Sequence, residues 1–270
     1  MCRAVEVSRS GYYVWKKRPK SRRNIDNEAL IIEIRRVFVE NRENYGSPRV
    51  WDALHKAHIP CSLNRVARLM HDNRIVAIQR RKFKATTNSR HHWPVAANVL
   101  ERNFTTDRPN KIWVTDITYV WTWEGWLYVS FVLDLFSRGV VGLAMSERIT
   151  GDLTQSALMQ ALGRRHPPAG LIHHSDRGSQ YASGDYQALL TKNEITPSMS
   201  RKGDCWDNAV AESFVHTLKV ELVHRYRFKM RDEAKQTIFE YIEAYYNRKR
   251  THSSLGDLSP YDYEKRSFPS

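Results

Sequence analysis

Residues 111–122 read KIWVTDITYVWT, and this run limits the fold more than any other in the chain. It is dense in β-branched and aromatic side chains, which suit a pleated strand. A turn at Glu124–Trp126 follows, then LYVSFVLDLFS and RGVVGLAM, two more strand-like runs. Three strands joined by short turns make an antiparallel meander. One residue does not belong in an ordinary strand. Asp116 sits among Trp113, Val114, Ile117 and Val120, and a lone carboxylate is costly to bury there.

The pattern then changes period. GDLTQSALMQALGRR reads as a helix, with Asp152 near its start and Leu158 and Leu162 among its apolar residues, and Pro167–Pro168 interrupt it. LIHHSD is a fourth strand. It follows a helical crossover, so it is expected to lie parallel to an earlier strand. A helix over residues 181–193, a short strand ITPSMS, the polar loop RKGDCWDN and a long helix DNAVAESFVHTLKVELVH complete the reading. This order resembles the ribonuclease H-like fold: an α/β mixed sheet of three antiparallel strands, then parallel strands, with flanking helices. That fold often carries acids on its first strand, after its fourth and on a later helix. Asp116, Asp176 and Glu212 occupy those places, with 35 residues between the last two.

Three hard oxygen donors suit Mg²⁺ or Mn²⁺, which need few carboxylates. Two such ions can activate an attacking oxygen and stabilise a leaving one at a phosphodiester. On the long helix, Asn208, Glu212, His216 and Lys219 fall on one face. Val210, Phe214, Leu218 and Leu222 form another, apolar face, and Glu221 lies off the polar stripe. Taken alone, that helix is also an ordinary amphipathic one. Asp134 is the strongest competing acid, and a structural acid paired with Arg138 is the other reading of it. Asp207 is expected to cap the helix and Asp185 to lie on the surface. Of His173 and His174, one is expected in the strand interior and one near the site.

Charge separates the chain into unequal parts. The whole carries a net +14, but residues 1–92 hold 21 Lys and Arg against 8 Asp and Glu. Such a block points to a polyanion, most simply nucleic acid. Residues 1–24 form a basic segment, expected to be flexible after Tyr13. Residues 25–78 read as three short helices. Asp26 or Asn27 caps the first, which carries Ile31, Ile34 and Phe38. Pro48 opens the second, and Ser62 caps the third, which carries Val66, Leu69 and Met70. Arg65 and Arg68 on that last helix give the module a helix-turn-helix character, although a plain helical bundle has the same pattern. Residues 79–104 read as a basic linker, in which His91–His92 lack a partner at metal-ligand spacing. Residues 105–265 form the large domain. No apolar run reaches the roughly 18–20 residues of a membrane span. The N-terminus has no signal-peptide pattern, and Cys2, Cys61 and Cys205 form no CxxC pair. A cytoplasmic setting, without disulfides or a cysteine zinc site, is expected.

The stretches WVTDITYV, LDLFSRGVVG, HSDRGSQYAS, DNAVAESFVHTLKVEL and YYNRKRTHSSLGDLSP, in that order, are very similar to bacterial insertion-sequence transposases of the IS-three group. The chain resembles their second-reading-frame product, within the retroviral-integrase superfamily. SRSGYYVWKKRP and YGSPRVW share the likeness. The resemblance implies that Asp116, Asp176 and Glu212 are catalytic metal ligands, holding two Mg²⁺ or Mn²⁺ ions. It implies a DNA nick by metal-activated water, then strand transfer by a 3′-hydroxyl, commonly through a circular intermediate. Residues 25–78 become a DNA-binding or assembly module. Asn208, His216, Lys219, Arg201, Lys202, Arg65 and Arg68 become candidate DNA contacts. Expected partners are DNA, further copies of the chain assembled on it, and an upstream-frame product or fusion, beyond which this chain is expected to begin. The expected setting is the bacterial nucleoid. Two competing readings are a nuclease that only hydrolyses, and a non-catalytic DNA-binding regulator or inactive element product.

Overall fold

The computed structural model describes residues 7–77, 93–201 and 205–268. The chain divides into two compact units, residues 1–77 and 78–270. Lys202, His91 and His92 lie outside the described residues.

The first unit is helical: α1 Arg9–Lys17, α2 Arg22–Glu40, α3 Ser47–Lys56 and α4 Leu63–Asp72. Where the sequence suggests a flexible lead-in, α1 is a capped helix. Ser8 accepts from the Gly11 N–H, yet α1 buries no residue. The cap of α2 is Ser21, accepting from Asn24 N at 3.3 Å, rather than Asp26 or Asn27. A serine side chain suffices to start the helix five residues earlier. Pro48 stands in the first turn of α3, and Ser62 caps α4 through the Arg65 N–H at 3.3 Å. Leu30, Ile34 and Val37 of α2 pack with Val50, Leu54, Val66, Leu69 and Met70 in one core.

The second unit is a five-stranded sheet in the order β3-β2-β1-β4-β5, with helices on both faces. Its strands are β1 Ile112–Thr122, β2 Gly125–Asp134, β3 Val140–Ser146, β4 Ile172–Ser175 and β5 Thr196–Met199. β1, β2 and β3 form the antiparallel meander, and β4 pairs parallel with β1 and with β5. The helices are α5 Gly151–Arg165, α6 Ser179–Ala182, α7 Gly184–Lys192, α8 Ala209–Glu221, α9 Arg231–Glu240 and α10 Pro260–Ser267. The single helix expected over 181–193 is two, because Ser183 is extended and caps α7 through the Tyr186 N–H.

Strand alternation sorts the two cores. Ile112, Val114 and Val120 face α8, α9 and the π-helical turn Tyr241–Tyr246. Trp113 and Val132 face α5, α6 and α7. The α5 backbone crosses β3 at Gly142, where any Cβ would strike Ala157 O and Ala161 Cβ. At the outer strand, Asn247 uses its amide to pair with both the N–H and the C=O of Val140, and Gln160 accepts from Leu143 N. Residues 93–104, read in the sequence as the end of a linker, belong to this unit. Leu100 is 3% exposed in its core, because the Leu100 and Val99 N–H groups both donate to Ser198 Oγ.

Candidate active site

The parallel register explains how two distant aspartates meet. Val114 of β1 lies beside His174 of β4. Asp116 and Asp176 each stand two residues further on, so they reach the same level just past the end of β4. From there to Trp121, β1 pairs only with β2, until Thr122 bridges to Phe228. The start of α8 closes on this open stretch, with Asn208 Nδ2 donating to Thr115 O at 3.2 Å.

Asp116 is buried. Its Oδ1 accepts from Ile117 N at 2.7 Å, and Asp176 Oδ1 accepts from Gly178 N at 2.8 Å. A Cβ at Gly178 would come within 3.0 Å of Asp176 Oδ1, so glycine leaves that carboxylate room. Burial, then the charge of Asp176 and more weakly that of Glu212, push the Asp116 carboxyl up to about 8. The buried Lys219 ammonium works against that rise. Burial also raises Glu212, which is half-buried in the first turn of α8. An aspartate raised by the charge of a second one, with a third acid beside them, forms a site that favours a cation. Among the described residues, no three His, Cys, Asp or Glu side chains already stand at the spacing of one metal's ligands.

The polar face of α8 is more enclosed than its sequence suggests. Asn208 and Lys219 are each 5% exposed, and His216 is half-buried. Asn208, a candidate DNA contact from the sequence, fastens α8 to β1. Lys219 lies over the Tyr119 ring at 4.5 Å. Glu221 is tied away in a buried pair with Arg250 at 2.7 Å and accepts from Tyr241 OH at 2.8 Å.

Several expectations change here. Asp207 does not cap α8. It is a buried hub that takes Arg201 Nη2 and Arg102 Nε on Oδ1, both at 2.8 Å, and Asn98 Nδ2 on Oδ2. Arg201 beside it holds its carboxyl well below the usual range. Arg201, expected at phosphate, is thus engaged by Asp207 and fixes the loop before α8. Asp134 is structural, but its hydrogen bonds come from Asn110 N, Trp113 Nε1 and Phe136 N, not from Arg138. Both histidines are buried. His174 lies between Ser198 Oγ at 2.8 Å and Ser200 Oγ at 3.1 Å, and His173 meets Tyr186 OH at 3.2 Å. Burial pushes both rings far down, to about 4 for His174 and about 3 for His173. Asp185 is exposed. In the helical unit, Arg68 is exposed, whereas Arg65 Nε donates to Asn27 Oδ1 at 2.9 Å. Sequence reading missed Thr115, Tyr181, Asn98 and Arg102. Thr115 Oγ1 donates to Phe131 O at 2.6 Å and meets Tyr181 OH at 3.3 Å, fixing β1 beside Asp116.

This sheet, with acids where β4 ends and α8 begins, defines an integrase-type polynucleotidyl transferase core. The Integrase core domain family matches residues 106–205, and a second Integrase core domain family matches 193–260. An HTH-like domain matches 25–83. The "Insertion element IS600 uncharacterized 31 kDa protein" of Shigella sonnei is 48% identical over 98% of both chains. "Transposase InsF for insertion sequence IS3A" of Escherichia coli K12 is 42% identical, covering 99% of this chain and 94% of that one. A chain of the simian T-cell lymphotropic virus intasome shares the fold, with a TM-score of 0.51 at 17% identity, covering 84% of this chain and 73% of that one. The chain belongs to the IS3-family insertion-sequence transposases.

Proposed function

We propose that this transposase cuts and rejoins DNA phosphodiesters at Asp116, Asp176 and Glu212. The observation that supports it most is the shared level of Asp116 and Asp176 beyond β4, with Glu212 close enough to raise Asp116. The donor set is carboxylate oxygen alone, which fits Mg²⁺ or Mn²⁺, and we assign two ions to it. When bound, they supply charge that favours the attacking oxygen and the leaving oxygen. The chain's own residues prepare the ground. The Ile117 and Gly178 N–H groups orient the two aspartates, and Asn208 with Thr115 fixes α8 against β1. Lys219 stands beside Asp116, where its ammonium offsets part of the acids' charge.

Two reactions follow. Water attacks a phosphodiester and gives up a proton as its oxygen bonds to phosphorus, the P–O3′ bond breaks, and O3′ takes up a proton, which leaves a 3′-hydroxyl and a 5′-phosphate. That hydroxyl then attacks a second phosphodiester, so one P–O bond forms as another breaks. In this reading the helical unit binds or assembles on DNA, with Arg68 at phosphate. Further copies of the chain and an upstream-frame product or fusion complete the assembly, at the bacterial nucleoid.

The test uses end-labelled DNA bearing the element's terminal repeat, with Mg²⁺ or Mn²⁺. Wild type and Glu212→Gln are compared, each alone and fused to the upstream frame. Metal-dependent nicks and joined strands that vanish in the variant are expected. Nicks without joining would favour a simple nuclease. Equal inactivity with DNA binding intact would favour a binding regulator.

A further inference from the structure

The far end of the β1–β2 hairpin carries a surface that cleavage chemistry does not use. Tyr119 and Trp121 of β1 and Trp126 of β2 lie on the same sheet face as Trp113 and Val132. Helices cover that face at Trp113 and Val132, but not here. Trp121 is 54% exposed and Trp126 42%, and Trp123 at the turn is 68% exposed. The rings support one another edge to face: Tyr119 and Trp126 are 5.1 Å apart and Trp121 and Trp126 4.8 Å. Large exposed rings grouped this way mark an interaction surface.

Cations are interleaved with them. Lys219 Nζ lies 4.5 Å from the Tyr119 ring centre, and Lys229 Nζ lies 5.9 Å from that of Trp123. Residues 224–229 read HRYRFK, and the backbone pins this segment to the hairpin, with Trp123 N donating to Phe228 O at 3.1 Å. Arg227 and Lys229 are exposed, and between them Phe228 forms an isolated bridge with Thr122. Flat rings alternating with ammonium and guanidinium groups match a strand whose bases stack and whose phosphates need cations. Paired duplex bases hide their faces from such rings, so the matching strand is unpaired. Lys219 joins the surface to the proposed site, since it stands beside both Tyr119 and Asp116.

We propose that this hairpin end is a stacking platform for unpaired bases of the DNA strand leading into the active site, with its phosphates along Arg227 and Lys229. This rests on the DNA-transferase reading and adds which form of DNA the site takes. A strand end opened by a few bases would be held here while its phosphodiester reaches Asp116 and Asp176.

The experiment measures binding of the full chain, in EDTA so that no chemistry occurs, by fluorescence anisotropy. A duplex forked at one end by several unpaired bases is compared with a blunt duplex of equal length. The double variant Trp121→Ala with Trp123→Ala is expected to bind the forked DNA about tenfold more weakly and the blunt DNA within about twofold of wild type. Phenylalanine at both positions should restore most of the difference. Equal losses on both DNAs, no loss on either, or a changed sedimentation state with unchanged DNA binding would overturn the platform. The last result would make the surface a contact between protein chains. If the alanine variant melts early, 5-iododeoxyuridine in the unpaired arm replaces it as the probe. Photocrosslinks to residues 119–126 are then expected, and crosslinks only elsewhere would overturn the proposal. Glu212→Gln should bind forked DNA as wild type does. A Glu212→Gln that still cleaved would sink the triad and leave the platform standing.

Discussion

The helical unit and the sheet unit spend their polar residues in opposite ways. In the helical unit the charged groups remain outside. Arg36, for example, joins Glu33 and Glu40 at 2.9 and 3.0 Å on an open helix face. In the sheet unit they are drawn inward. Asp134, Asp207 and Asn208 are all buried, and the Glu221–Arg250 pair is enclosed with Tyr241. Exposed pairs contribute little because water and salt screen them, whereas a buried group must keep its partners. The first unit thus leaves its charge at the surface, while the second brings two chain-distant acids to one level.

The sharpest way to break this contrast is Asp116→Asn. Nicking should fall by on the order of 10³-fold, as for loss of a group that stabilises developing charge. Metal-free stability should rise at the same time. Above 3.8 the unfolded chain ionises this carboxyl, whereas the folded one keeps its proton up to about 8. Each pH increment between those values therefore favours unfolding in wild type and not in the variant. A variant that melts lower at pH 7 would refute the idea that the acids repel one another.

Next in size is Arg250→Met, which leaves Glu221 buried without its cation and should cost about 3–5 kcal/mol in denaturant unfolding. Arg36→Ala should leave the melting temperature unchanged. Equal effects from the two would erase the contrast between the units. Gly142→Ala should cost about 1–3 kcal/mol by forcing α5 away from β3. A neutral result there would mean that the helix can shift freely.

Asp207 gives a smaller, pH-dependent signal. Its carboxyl is held low by Arg201, so its contribution is present above 3.8 and is lost as pH falls further, when the folded state must also take up the proton. Asp207→Asn should flatten acid unfolding below about pH 4. The mildest change is Arg68→Ala, which should reduce the slope of log affinity against log salt by about one phosphate's worth. A salt-independent wild type would remove the helical unit's assigned role.

How much of this was legible in the sequence depends on whether the deciding contact is local. Pro48 and Ser62 mark helix starts because a cap acts within one turn. The meander and the level of Asp116 with Asp176 follow from strand order. The break at Ser183 is hidden because apolar spacing continues across it. Asn208 and Lys219 read as surface residues because nothing near them in sequence reveals that β1 loses its β4 partner beyond Val114. Arg102 reads as linker because its partner, Asp207, is more than 100 residues away.

One detail at the rim of the sheet bears on how a copy of this protein would meet another. The outer strand β3 ought to welcome a neighbour's strand, as bare sheet margins do. Asn247 imitates that neighbour at Val140, and Gln160 occupies the Leu143 amide. A visiting chain finds these places already taken by residues of the same molecule. Were copies brought together on one DNA, they would remain separable bodies at this margin and not fuse into a continuous ribbon. Crowding on the nucleic acid need not become aggregation there.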